Sequence, residues 1–159
     1  MRYFAYGSNL DAVDLAKYCV KKSLPIPKRS DEKPAFLSGW KLTFNFFSAS
    51  RMGGVANLAF TGQPEDRVYG ALCEVADPYM KIIDLTEGAP QAYERIKVEA
   101  TLMEDPVHKN VVTYVVLKTR VMDREVPPTR DYLFLIVKNA KRLGFPREYI
   151  KKLESVQTV

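Results

Sequence analysis

Arg2-Tyr3-Phe4-Ala5-Tyr6-Gly7-Ser8-Asn9-Leu10 is the stretch on which the fold turns. Its first five residues are rich in aromatics and predict a strand, Gly7-Ser8-Asn9 is turn chemistry, and Leu10, Val13, Leu15 and Ala16 then give a short helix pattern. A glycine loop between a strand end and a helix start leaves backbone N–H groups pointing at open space, and such a loop binds carboxylates. Ser8 and Asn9 are also ordinary helix-capping residues, so taken alone the turn favours a purely structural role.

Downstream, Lys21 to Pro34 turns polar, and Pro25, Pro27 and Pro34 predict a long surface loop. Ala35 to Phe47 reads as one half-buried strand. Val55 to Phe60 and Arg67 to Val75 read as two more, paired as a β-hairpin through the turn Gly62-Gln63-Pro64-Glu65-Asp66. Asp77 ahead of Pro78 predicts a capped helix through Met80, Ile83 and Leu85, stopped by Gly88. Tyr93 to Met103 and Val111 to Lys118 alternate as strands around a loop holding Pro106 and His108. After Pro127-Pro128, Thr129 caps a helix with Leu133, Ile136, Val137 and Ala140 at helical spacing, ended by Gly144, and Pro146 opens a last short helix. This order predicts an α+β fold with a mostly antiparallel or mixed sheet, as one domain over residues 1–159.

Composition removes several classes of function. A chain of 159 residues, 47% hydrophobic and 27% charged, can bury a core of its own. No apolar h-region follows Met1 and no apolar run approaches the roughly 20 residues of a membrane span, so a soluble protein with no membrane partner is expected. Cys19 and Cys73 allow at most one disulfide, which points to a reducing cytoplasm. The net charge of +5 is spread over pairs such as Lys21-Lys22 and Lys151-Lys152 with acidic neighbours, the pattern of a solvated surface and not of a nucleic-acid footprint.

The usual catalytic signatures are missing. There is no phosphate-cradling GxxxxGKS/T loop, no GxGxxG and only one histidine, so neither a metal nor another cofactor is called for. His108 sits in a polar loop and reads as a surface residue, and Cys19 and Cys73 read as core. Ser8 lacks both the GxSxG elbow and a histidine partner, which suits it to binding and not to attack. Glu87 is the oddity: a carboxylate in the last turn of a helix faces the negative end of the macrodipole, which disfavours its charge. In an apolar site it would have the raised pKa of an acid/base shuttle, and on the surface it would be an ordinary glutamate.

Together, Tyr3-Phe4-Ala5-Tyr6-Gly7-Ser8-Asn9-Leu10 and, far downstream, Glu87-Gly88 resemble the γ-glutamylcyclotransferase family. Gly53-Gly54-Val55-Ala56-Asn57-Leu58, Val68-Tyr69-Gly70, Asp84-Leu85-Thr86-Glu87-Gly88 and the stretch from Pro127 through Tyr132 to Tyr149 match its segments in order, leaving out roughly residues 20–38 and 103–124. The resemblance implies a small mixed β-barrel flanked by helices and a cofactor-free cyclisation of γ-glutamyl amino acids to 5-oxoproline, with Glu87 as the catalytic acid/base. It implies a substrate-binding set of Tyr3, Phe4, Ala5, Tyr6, Gly7, Ser8, Asn9 and Tyr132, with Tyr93 and Tyr114 as weaker carry-overs, and a homodimer. Cys73 departs from the family pattern, standing where a bulky aromatic is expected, and the span from Gly88 to Tyr93 looks trimmed. Three other readings stay open: a cyclotransferase acting on another γ-glutamyl amine or conjugate, a glutamyl-ligand binding protein on the same fold without catalysis, and an amidohydrolase that would release glutamate.

Overall fold

The computed structural model describes all 159 residues. Seven strands and four helices follow one another as β1 (Arg2–Ala5), α1 (Ala12–Lys21), β2 (Arg29–Ser38), β3 (Trp40–Ser48), β4 (Gly53–Phe60), β5 (Arg67–Val75), α2 (Asp77–Glu87), β6 (Tyr93–Leu102), β7 (His108–Val116), α3 (Arg130–Arg142) and α4 (Arg147–Glu154). Five strands close a barrel in the order β1-β5-β2-β6-β7. The ladders are antiparallel except where β1 meets β7, with Tyr3 opposite Val112, and that parallel pair makes the barrel mixed. The expected α+β barrel flanked by helices is what the chain forms.

The remaining strands, β3 and β4, pair only with each other. This ribbon is docked through backbone groups: Asn57 Oδ1 accepts from the Val116 N–H at 2.9 Å, the Tyr93 hydroxyl donates to Ala56 O at 2.8 Å, and the Tyr132 hydroxyl accepts from the Ala56 N–H at 3.0 Å. Each pairing satisfies a buried polar group whose loss would cost about 1–3 kcal/mol.

Four local expectations need correction. The Ala35–Phe47 strand is broken at Gly39, whose φ of 85° turns the chain from the barrel into the ribbon. The hairpin between Val55–Phe60 and Arg67–Val75 does not form: β4 pairs with β3, and the loop after it is captured by Gly39, whose N–H donates to Asp66 O and whose carbonyl accepts from the Thr61 and Gly62 N–H groups. A polar turn marks a change of direction without saying whether its flanking strands pair. The Lys21–Pro34 loop is shorter than expected, because β2 begins at Arg29 and absorbs Pro34 beyond an irregularity near Asp31, whose φ is 54°. Finally, the N-cap of α2 is Ala76, with Asp77 already helical in the first turn, where its charge favours the helix dipole.

Close backbone packing sets where the site lies. A Cβ on Gly70 of β5 would sit 2.3 Å from Ala5 O and 2.5 Å from the Phe4 ring, so β1 can reach its position only against a bare backbone. Gly70→Ala is expected to lower unfolding stability by about 2–3 kcal/mol, at the upper end of overpacking costs. Urea denaturation measures this, and a variant within about 0.5 kcal/mol of wild type would show that β1 has room to shift.

Candidate active site around Glu87

The loop that leaves β1 is built to stay still. Gly7 precedes a single 3-10 turn, Ser8–Leu10, and Asp11 then caps α1 by accepting from the Asp14 N–H at 2.8 Å. The cap is therefore Asp11, not Ser8 or Asn9. Asp11 is buried, yet Lys138 at 2.5 Å, the Asp14 N–H and the Asn139 amide at 2.9 Å outweigh that burial and hold its carboxyl down at about 2. From β2, Arg29 donates to the Asn9 carbonyl at 2.5 Å.

Opposite this loop, α2 ends on Glu87, and Gly88 closes the helix with φ of 66° and its N–H on Asp84 and Leu85 carbonyls. Asn9 Nδ2 donates to Glu87 Oε1 at 2.6 Å and also lies 3.1 Å from the Tyr3 hydroxyl. The Asn9 side chain therefore holds Glu87 itself. No protein donor reaches Glu87 Oε2, which leaves that oxygen for exchange of a proton. Burial pushes the Glu87 carboxyl up to about 7; the Arg51 charge opposes this and Asp84, one turn back, adds to it.

Glu87 lines a cleft of about 440 Å³ together with Tyr3, Tyr6, Gly7, Ser8, Asn9, Tyr93, Tyr114 and Tyr132. The Gly7 N–H has no protein acceptor. A Cβ at Gly7 would meet Ala56 Cβ at 3.2 Å and the Tyr132 hydroxyl at 3.4 Å, so the loop and that hydroxyl face one small space. Burial keeps the Tyr132 phenol protonated, raising it to about 12, and its oxygen already accepts from the Ala56 N–H, so its proton is free to be donated. Phe4 and Ala5 do not line the cleft; they are buried in the barrel. A larger cavity of about 650 Å³ lies beside β3, α4 and the C-terminal residues, and neither Glu87 nor any residue of the Tyr3–Leu10 stretch borders it.

Sequence reading missed Arg51, which lies in the β3–β4 turn, pairs with Asp14 through both guanidinium nitrogens and sits 5.5 Å over the Tyr132 ring. The one signal was a lone cation among the small residues Ser48-Ala49-Ser50 and Gly53-Gly54. It also missed Asp84, which holds the Tyr114 hydroxyl at 2.5 Å and Arg95 at 2.6 Å. Tyr93 and Tyr114 both line the cleft.

Fold and cleft define a barrel protein with one buried, protonatable carboxyl facing a glycine loop. The chain belongs to the AIG2-like family, whose model matches residues 67–153, and its fold is γ-glutamylcyclotransferase-like. It is 29% identical to a γ-glutamylcyclotransferase of Bos taurus and 28% identical to that of Homo sapiens, each alignment covering 98% of this chain and 78% of the relative. A solved structure of a γ-glutamyl cyclotransferase superposes with a TM-score of 0.80 at 26% identity, covering 100% of this chain and 89% of that one. These likenesses support a cyclotransferase enzyme.

The raised pKa has a stability signature. The folded state keeps the Glu87 proton to about pH 7, whereas an ordinary glutamate gives it up near 4.5, so wild type loses stability as pH rises between these values. Glu87→Gln removes that loss. Urea unfolding from pH 4 to 9 is expected to show the variant gaining on wild type through this window, by up to about 3 kcal/mol above pH 7. A difference that does not change with pH would mean that Glu87 titrates as a solvated carboxylate.

Proposed function

We propose that this protein is a cytoplasmic γ-glutamylcyclotransferase that converts γ-glutamyl amino acids into 5-oxoproline and the free amino acid. The observation that carries the reading is the Glu87 carboxyl, aimed by Asn9 across a small cleft at the bare Gly7 loop and buried enough to exchange a proton near neutrality. No metal or other cofactor enters it.

A γ-glutamyl amide contains its own nucleophile, because the α-amine can reach the γ-carbonyl and close a five-membered lactam. At neutral pH that amine is an ammonium and cannot attack. Glu87 as carboxylate takes one proton from it; the freed amine bonds to the γ-carbon, and the carbonyl electrons move onto oxygen. The Tyr132 hydroxyl and the Gly7 N–H are the donors placed for that oxyanion and for the substrate α-carboxylate. Glu87 then returns its proton to the departing nitrogen and the C–N bond breaks as the carbonyl re-forms; the attacking nitrogen gives up its second proton, by way of the same carboxylate, to the released amine, so that 5-oxoproline leaves with one N–H and the amino acid as its ammonium. Holding the flexible glutamyl chain in an attack-ready conformer contributes up to about 7–11 kcal/mol where the orientation is good.

Purified protein incubated with γ-glutamyl-alanine, without metal or nucleotide, is expected to release 5-oxoproline, and Glu87→Gln is expected to bind the dipeptide without turning it over. Residual cyclisation by the variant above about one per cent would remove Glu87 from the mechanism. Because the base form is needed first, kcat/KM is expected to rise with pH through about 7, and Asp84→Asn, which takes away a charge that raises the Glu87 pKa, is expected to move that limb to lower pH. Release of glutamate instead of 5-oxoproline would identify a water-using amidohydrolase.

A further inference from the structure

The proposed cyclisation leaves one charge of the cleft without a task. Four charged side chains line the cleft: Asp14, Arg51, Glu87 and Arg120. Asp14 and Arg51 neutralise each other in a two-point pair at 3.1 and 2.5 Å, and Glu87 is the proton carrier. Arg120 is exposed, and no carboxylate lies within ion-pair distance of it.

Its position is nonetheless held. The Leu117 N–H donates to Ala92 O at 3.0 Å, the Arg120 N–H closes a turn onto Leu117 O at 2.8 Å, and the Met122 N–H donates to Asn45 O at 2.7 Å. The turn is thus tied on one side to Ala92, which lines the cleft, and on the other to β3 just before Phe46 and Phe47, which line it too. A guanidinium with free donors at the rim of a half-apolar cleft is a receptor for a carboxylate, whose two oxygens match its planar fork.

We propose that Arg120 binds the carboxylate of the departing amino acid and so selects γ-glutamyl conjugates whose leaving amine carries a negative charge over those whose leaving amine is neutral or cationic. This rests on the cyclotransferase reading. A γ-glutamyl amino acid has two carboxylates, one at each end. The glutamyl carboxylate must lie near the Gly7 loop if the neighbouring α-amine is to reach Glu87, so the other extends away from that loop, where Arg120 is the only unneutralised cation lining the cleft. Phe46 and Phe47 offer apolar surface to the side chain of the leaving residue.

The test compares γ-glutamyl-alanine with γ-glutamyl-alaninamide, in which a neutral carboxamide of nearly the same shape replaces the leaving residue's carboxylate. Arg120→Gln is expected to raise KM for the acid about tenfold, the scale of one charge-assisted hydrogen bond, with kcat within about twofold and the amide unaffected. Arg120→Glu is expected to reverse the preference. The same pair of ligands is titrated calorimetrically against Glu87→Gln with and without Arg120→Gln, so that the subsite is read without turnover. A tenfold loss of affinity confined to the acid supports the subsite even if wild type makes no 5-oxoproline, in which case the cyclotransferase reading alone fails. Equal effects on acid and amide, no effect on either, or no binding of the acid would overturn the subsite, and in the first two cases 5-oxoproline release would leave the cyclotransferase reading intact.

Discussion

The hydrogen bond from Asn9 to Glu87 joins residues 78 positions apart and is the point on which the site converges. It brings together a loop at the end of a barrel strand and the last residue of a helix, and neither partner has slack. Asn9 is held through its carbonyl by Arg29, and its amide is shared with the Tyr3 hydroxyl. Two residues on, Asp11 is locked to Lys138 and Asn139 of α3. Four elements therefore position one amide, and that amide occupies one oxygen of the carboxyl while leaving the other open. A carboxyl free to rotate would sample many orientations, so the constraint on Asn9 is also a constraint on how Glu87 faces the cleft.

The opposite wall depends on small residues for a related reason. Gly54 packs so closely that a Cβ would fall 1.8 Å from Val126 O, and Gly7 faces Ala56 across the cleft. These contacts press the β3–β4 ribbon against the segment leading into α3. Ala56 then has both its backbone groups satisfied by tyrosine hydroxyls, Tyr93 on its carbonyl and Tyr132 on its N–H. The tyrosine rings supply buried area and their hydroxyls pin the wall, so the aromatic content near the cleft is both packing and polar architecture.

The parts of this arrangement that are local in the chain were legible in the sequence. The strand, glycine turn and helix start at Arg2–Leu10, the αL stop at Gly88 and the Thr129 cap of α3 all follow from steric and hydrogen-bonding preferences of a few adjacent residues. Pairing was not legible. The ribbon of β3 with β4 and the breaking of Ala35–Phe47 at Gly39 are decided by which faces meet in three dimensions, and alternation along a strand is the same whichever neighbour it finds. Glu87 stood out through its awkward place at a helix C-terminus, whereas Asn9 read as a cap or a ligand contact because the partner that gives it another role lies on a distant element. The roles of Arg51 and Asp84 were not legible, since each acts through a neighbour that only folding supplies.

The electrostatics of the cleft follow from how its cation is occupied. An arginine beside a buried carboxylate would ordinarily stabilise the charge and hold the pKa low, away from neutrality. Here the Arg51 guanidinium is engaged at both nitrogens by Asp14, so it reaches Glu87 as a field and not as a partner, and burial remains the larger effect. The surrounding phenols of Tyr3, Tyr6, Tyr93 and Tyr132 are all raised by burial and stay protonated, so they provide dipoles without competing for the proton. Among the groups lining the cleft, Glu87 is thus the one brought to change charge near neutrality, and it is so because a second acid, Asp14, keeps the nearby cation away from it.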